Sequence, residues 1–103
     1  MIEPLRITTT MDKGQCTVVV VGEVDMATVS DLEDALRDVS NVDVVVDLSG
    51  VAFLDSSGIA ALAQAHRETT ERDHRLTIRG ERPTVRRALE ITGLFRVLHP
   101  EDP

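Results

Sequence analysis

The chain has 103 residues, a formal net charge of −7, and Phe53 and Phe95 as its only Phe, Tyr or Trp residues. This length predicts a single domain over residues 1–103 with a core of Val, Leu, Ile and Ala. The acidic balance and the shortage of aromatic stacking platforms argue against nucleic acid and anionic membranes as main partners. Cys16 is the only cysteine, which fits a reducing cytoplasm, and no apolar run approaches the length needed for membrane insertion.

Alternating and apolar segments predict an opening hairpin followed by strands that alternate with helices. Strands are predicted at residues 5–10, 16–21, 41–48 and 75–79, with a short last strand at 95–98. Helices are predicted at residues 29–39, at 57–72, and from Pro83 to a left-handed cap at Gly93. The order predicts an α/β fold with a four- to five-stranded mixed sheet and helices packed on it.

Three local interpretations accompany these elements. Ser49-Gly50 is interpreted as a turn, and the valines of residues 41–48 suggest a central strand that is buried on both faces or nearly so. Ile59, Leu62, Ala63 and His66 are expected to form the inner stripe of the second helix.

The segment Leu54-Asp55-Ser56-Ser57-Gly58 lies where the third strand gives way to the second helix. Ser and Asp accept hydrogen bonds from the unpaired N–H groups of a helix start, and those N–H groups also favour an anion such as a phosphoryl group. Asp25 follows the second strand, and neighbouring parallel strands end at the same rim, so we expect it near Ser57. The residues alone leave two questions open. Asp25 is either a helix cap or a contact to a partner, and Ser56 and Ser57 are either helix caps alone or also part of a site for a phosphoryl group. Asp55 is expected to brace the loop.

Three segments carry a family resemblance. Residues 44–59, VVVDLSGVAFLDSSGI, resemble the signature of the STAS family, named for sulfate transporters and anti-sigma factor antagonists. Residues 22–25 resemble the family's earlier motif, and residues 85–95 resemble its third helix. The matches follow the family's order, and the chain is similar to the small, stand-alone, serine-phosphorylated bacterial anti-sigma factor antagonists.

The resemblance implies a STAS fold and a regulatory binding protein rather than an enzyme. Such a protein binds an anti-sigma factor with serine kinase activity, frees a sigma factor, and is switched off by phosphorylation, here of Ser57. It implies a serine phosphatase that resets the switch, and no cofactor of the chain's own, since the kinase uses ATP as phosphoryl donor. The residues that we expect to bind the partner are Asp25, Asp55, Ser56, Ser57 and Gly58. The resemblance also implies a short C-terminal helix after the last strand, which is expected to be missing or vestigial because the chain stops at Pro103.

Three other functions remain to be compared. A STAS subunit of a regulatory scaffold or lipid-transport assembly would share the fold and differ in its partner. A phospho-receiver domain could use Asp47 but needs a late lysine, and the only lysine is Lys13. A serine hydrolase needs a Gly-X-Ser-X-Gly elbow and a histidine for Ser57, and the sequence offers neither. Zinc spacing is absent, so no metal site is expected.

Overall fold

The structure is a computed structural model that describes residues 4–99. Its strands are β1 (Arg6–Asp12), β2 (Gln15–Val24), β3 (Asp43–Leu54) and β4 (Leu76–Arg79). Its helices are α1 (Val29–Asp38), α2 (Ser56–Glu71), α3 (Pro83–Ile91) and α4 (Leu94–Leu98). The strands of the described residues form one sheet in the order β1-β2-β3-β4, antiparallel between β1 and β2 and parallel elsewhere. This confirms the predicted α/β fold with a mixed sheet.

The core lies on one face of that sheet. In β3, Val44, Val46 and Leu48 are fully buried, whereas Val45 and Asp47 between them are half-buried. Side chains alternate between the two faces of a strand, so the helices pack on the face that carries the buried set. The strand is central in the sheet, as predicted, but its second face is half-buried rather than buried or nearly so. Cys16 of β2 is buried in the same core, and desolvation by burial raises the pKa of its thiol.

Ser49-Gly50, predicted as a turn, lies inside β3. Val19 of β2 pairs with Asp47 and Val21 pairs with Gly50, so β3 holds one extra residue at this point. The Asp47 carboxylate accepts hydrogen bonds from the Ser49 N–H at 2.9 Å and the Ser49 hydroxyl at 2.7 Å. A Cβ at Gly50 would lie 2.8 Å from Val21 Cγ2. The Ser-Gly pair is thus a β-bulge, at which the two strands approach closely, and β3 continues to Leu54.

The predicted last strand at residues 95–98 is instead the one-turn helix α4. Gly93 has φ 80° and ends α3 in the left-handed conformation, as predicted. Phe95 and Leu98 are buried, whereas Val97 is 42% exposed. This three-residue spacing buries one side of a helix, while a strand would bury Phe95 and Val97 together. A five-residue helix therefore takes the place of the predicted last strand. The expectation that the family's C-terminal helix is missing or vestigial concerns the residues after it, and residues 100–103 lie outside the described part of the chain.

Helix α2 turns a different face to the core from the one predicted. Its buried residues are Gly58, Ala61, Leu62, Ala65 and Thr69. Ile59, Ala63 and His66 are only half-buried. Gly58 lies against Leu54 and Val24 at the strand ends, whereas Ala61 and Ala65 lie beside Leu36 of α1, so the buried stripe is centred on small residues. Within residues 4–99, no helix is long and apolar enough to cross a membrane.

Candidate functional site

Asp55 organises the start of α2. It is the N-cap residue, with an extended backbone, and its Oδ1 accepts hydrogen bonds from the N–H groups of Ser57 at 2.9 Å and Gly58 at 3.1 Å. The Ser57 hydroxyl donates to the same oxygen at 2.5 Å. The structure thus gives Asp55 the bracing role expected of it. It also holds the hydroxyl of Ser57 against a carboxylate.

Ser56 is not the cap that the sequence suggested. It is the first residue of α2, it is exposed, and its hydroxyl makes no hydrogen bond to residues 4–99. Asp55 takes the cap position because its carboxylate reaches the N–H groups two and three residues ahead, which is the usual N-cap geometry. Ser56 therefore presents a free hydroxyl beside Ser57, at the outer surface of the helix start.

Two loops meet at this point of the sheet. The Asp55 N–H donates to the Val24 carbonyl at 3.1 Å. The loop that carries Asp25 is therefore tied directly to the N-cap of α2, at the rim where β2 and β3 end. We call the surface formed by Asp25, Met26, Asp55, Ser56 and Ser57 the acidic rim.

Asp25 caps the turn that precedes α1. Its Oδ1 accepts hydrogen bonds from the N–H groups of Ala27 at 2.9 Å and Thr28 at 3.2 Å. The Thr28 hydroxyl accepts from the Asp25 N–H at 3.0 Å and donates to the Glu23 carbonyl at 2.9 Å. The cap interpretation of Asp25 is thus realised in the structure. Its carboxylate is only half-buried, so it also remains accessible at the rim.

The acidic rim carries uncompensated negative charge. The hydrogen bond from the Ser57 hydroxyl, helped by the N–H groups of Gly58, Ser57 and Met26, lowers the pKa of Asp55 below its usual value. Asp55 is therefore ionised at neutral pH. Neither Asp25 nor Asp55 forms an ion pair with a basic residue within residues 4–99. A partner that covers this rim must supply the positive charge.

Gly58 has a structural role at the site. It is buried, and a Cβ there would clash with Leu54 Cδ1 and lie 2.8 Å from Val24 Cγ1. The absence of a side chain lets the first turn of α2 lie directly on the ends of β2 and β3. Gly58 thus positions Ser57, and its burial limits any direct contact with a partner.

Two exposed apolar residues near this rim were not singled out by the sequence. Met26, which follows Asp25, is 83% exposed, and Phe53 near the end of β3 is 51% exposed. Large apolar side chains with such exposure are enriched at protein interfaces. The sequence alone did not indicate their exposure, because an isolated apolar residue is as readily buried as exposed.

Several other interpretations lose support from this geometry. The Ser57 hydroxyl contacts a carboxylate and no histidine among the described residues, so a hydrolase arrangement is not formed. Asp47 lies inside β3 rather than at its end, and its carboxylate contacts Ser49 and Arg79. No group of three or more His, Cys, Asp or Glu residues able to hold a metal ion occurs between residues 4 and 99.

Comparisons with known proteins all find STAS domains or anti-sigma factor antagonists. A family model described as "Mlab, STAS domain" matches residues 7–99. The anti-sigma-B factor antagonist of Staphylococcus aureus is 36% identical over 95 residues, which cover 89% of this chain and 87% of that protein. The structure of an anti-sigma factor antagonist from Mycobacterium paratuberculosis matches with a TM-score of 0.77 and 33% identity, covering 91% of this chain and 84% of that one.

A further structural match shows the fold alone. SpoIIAA, an anti-sigma factor antagonist solved in its unphosphorylated form, matches with a TM-score of 0.78 at 20% identity. The match covers 89% of this chain and 84% of SpoIIAA. SpoIIAA has also been solved in a phosphorylated form.

Proposed function

Because the chain belongs to the STAS-domain family of anti-sigma factor antagonists, we propose that it is a phosphorylation-controlled switch that acts by binding an anti-sigma factor. The unphosphorylated chain binds the anti-sigma factor through the acidic rim and thereby frees a sigma factor in the cytoplasm. The anti-sigma factor is also the serine kinase that phosphorylates Ser57 with ATP, and a serine phosphatase restores binding. The chain itself needs no catalytic residue and no cofactor.

The observation that carries this proposal is the hydrogen bond from the Ser57 hydroxyl to Asp55. Phosphorylation converts that hydroxyl into an ester oxygen, which has no proton to donate, so the bond is lost. It also adds about −1.5 to −2 charges next to a carboxylate that is already ionised. The N–H groups of Ser57 and Gly58, which could stabilise a phosphate, are already bonded to Asp55. After phosphorylation, therefore, either the hydrogen bonds of the rim rearrange or the phosphate on Ser57 and the Asp55 carboxylate repel each other.

The size of the switch indicates where Ser57 lies relative to the partner. To move a complex from mostly bound to mostly free requires about 5.5 kcal/mol of differential affinity. Screened repulsion between surface charges gives only about 1 kcal/mol per pair in water. Desolvation of an unpaired phosphate inside a docked interface costs several kcal/mol or more. We therefore place Ser57 inside the partner's footprint rather than at its edge.

The chemistry of the rim describes the partner surface that it fits. Asp25 and Asp55 have no basic partner within residues 4–99, and Met26 is exposed beside them. A complementary surface has Arg or Lys opposite the carboxylates and an apolar depression for Met26. A scaffold or lipid-transport subunit would share the fold, and the identity of the captured partner distinguishes the two functions.

The direct test is phosphorylation by the partner kinase. The chain with Ser57→Ala, which should bind its partner persistently, is used as bait to capture the anti-sigma factor from its own host. Incubation of the unaltered chain with that protein and ATP should add one phosphate, which mass spectrometry places on Ser57. The Ser56→Ala variant, which retains Ser57, should still receive one phosphate, and that phosphate should lie on Ser57. Phosphate on Ser56 or Asp47, or capture of a transporter subunit alone, would refute the proposal.

A further inference from the structure

The outer edge of β1 is an unpaired sheet edge with little protection. β1 is the first strand of the sheet, so one side of its backbone pairs with β2 and the other has no strand within residues 4–99. Its seven residues pair with β2 in unbroken register from Arg6 to Asp12. Proteins usually guard such an edge with a bulge, a proline or a lysine, and β1 has none of these. The opposite edge, β4, is only 4 residues long.

A groove of about 370 Å³ lies beside this edge, between β1 and α1. Leu5, Ile7 and Thr9 line one wall, and Asp31, Asp34 and Asp38 line the other. Leu5 is buried and Ile7 is half-buried, so this wall is apolar, while the aspartates are exposed. The groove is therefore amphipathic, with a row of carboxylates above an apolar base.

Two of the three aspartates have no positive charge opposite them. Asp34 pairs with Arg37 at 3.0 Å, whereas Asp31 and Asp38 form no ion pair with residues 4–99. Asp34 is three residues after Asp31, and Asp38 is four residues after Asp34. This spacing places all three aspartates on one face of α1, over about 10 Å. Three alternate side chains of an extended strand span about 13 Å, which matches this row. The groove therefore suits an extended segment with basic side chains at alternate positions.

We propose that the β1 edge and this groove bind an extended, basic segment of a partner protein, which adds to the sheet as a fifth strand. Its backbone pairs with the free edge of β1. On one face its Lys or Arg side chains lay their aliphatic stems over Leu5 and Ile7 and bring their charges to Asp31 and Asp38. This surface uses none of the acidic rim residues, so it operates independently of Ser57.

Charge argues for such a segment over a second copy of this chain. Pairing of two β1 edges would bring two aspartate rows together on the same side of a joined sheet, in a chain whose net charge is −7. Like charges that face each other across an interface disfavour that association. A basic strand satisfies both the free backbone groups and the carboxylates.

The probe is a fluorescent nine-residue peptide that alternates lysine with valine, titrated into the full chain by anisotropy at moderate salt. It should bind with a Kd below about 1 mM and shift the backbone amide NMR signals of β1 and α1. Asp31→Asn with Asp38→Asn should weaken binding about tenfold, since exposed ion pairs each contribute a few-fold. Glu33→Gln with Glu71→Gln, which changes the net charge equally at exposed sites outside the groove, should change it less than twofold.

Two further peptides test strand addition itself. One carries N-methyl groups on all lysine nitrogens of the backbone and the other on all valine nitrogens. Neighbouring residues of a strand direct their N–H groups to opposite edges, so at least one version should lose binding while its charge is unchanged. The proposal is overturned by unchanged binding of both methylated peptides, by equal losses in the two double variants, or by no binding at 1 mM. Peptide-induced shifts of amide signals only on surfaces other than β1 and α1 would overturn it as well. So would a dimer of this chain that the Thr9→Lys substitution dissociates, because the β1 edge would then bind a second copy.

Discussion

The ionisation of Asp55 controls the local geometry at Ser57. One carboxylate accepts the Ser57 hydroxyl and the N–H groups of Ser57 and Gly58. These hydrogen bonds lower the pKa of Asp55 in the folded chain. A carboxylate of this kind stabilises the fold above its unfolded pKa of about 4. That stabilisation disappears as the pH falls through the lower, folded pKa.

We therefore expect the Asp55→Asn variant to be less stable than the unaltered chain at pH 7 and less sensitive to acid below about pH 4. Asparagine keeps an oxygen for the cap but cannot titrate. Urea denaturation at a series of pH values measures both effects. Asp38→Asn, at an exposed residue that accepts no side-chain hydrogen bond from residues 4–99, is the control. Identical pH profiles for Asp55→Asn and the unaltered chain would contradict the assigned role.

Asp25 combines a structural and a proposed binding role, and the two can be separated. Asp25→Ala removes the hydrogen bonds to Ala27 and Thr28, which should cost about 1 kcal/mol of stability. Loss of a charged contact to the partner should weaken the free energy of binding by about 2–5 kcal/mol. Denaturation and titration calorimetry measure the two quantities, with Asp31→Ala as a control for a first-turn aspartate of α1. A loss of stability with unchanged affinity would make Asp25 a cap alone.

At the level of single residues, the sequence indicated which side chains cluster but not which hydrogen bonds they form. A strand followed by Asp-Ser-Ser-Gly marks a helix start, so Asp55 and Ser57 could be located directly. Ser56 was misjudged, because a serine and an aspartate compete for the cap and only the backbone geometry decides. The bond from the Asp55 N–H to the Val24 carbonyl uses backbone groups, which almost every residue type possesses, and so no sequence pattern reveals it.

The first turn of α2 depends on the small size of Gly58. Alanine is a better helix former than glycine, by about 1 kcal/mol in an open helix. At Gly58, however, the added Cβ would clash with Leu54 and approach Val24 Cγ1 to 2.8 Å. We expect Gly58→Ala to lower the free energy of unfolding by about 1–3 kcal/mol, as overpacking does. Thermal denaturation measures this loss of stability, with Ser56→Ala at an exposed neighbouring residue as the control. A Gly58→Ala chain that is more stable than the unaltered chain would contradict the prediction.

The elements that were predicted wrongly have a common cause. Ser49-Gly50 has turn composition, yet pairing of Gly50 with Val21 of β2 keeps it in a strand as a bulge. Residues 95–98 have strand composition, yet the left-handed Gly93 redirects the chain so that Phe95 and Leu98 reach the core as a helix. Local composition predicts conformation only until tertiary packing favours another, as it does in both segments.

For the molecule as a whole, the order of elements was sufficient to predict a mixed sheet with helices on it. The hairpin fixes the antiparallel pair, and each helix between strands requires a parallel crossover. The one-sided core was less accessible from sequence, because the open face of β3 also carries Val45, which is half-buried. Valines on both faces disguise the alternation that would have shown it. The groove beside β1 depends on how α1 packs and required the structure.

The central claim is that phosphorylation of Ser57 acts inside the partner interface, and Ser57→Asp tests it most directly. Its matched control is Ser57→Asn, which has nearly the same size and no charge. Titration calorimetry against the captured anti-sigma factor at low and high salt measures the difference in affinity between the two variants. If Ser57 is buried in the interface, the carboxylate is desolvated without a counter-charge. The difference should then be several kcal/mol and nearly independent of salt. A difference near 1 kcal/mol that vanishes at high salt would place Ser57 at the edge of the interface and contradict the claim.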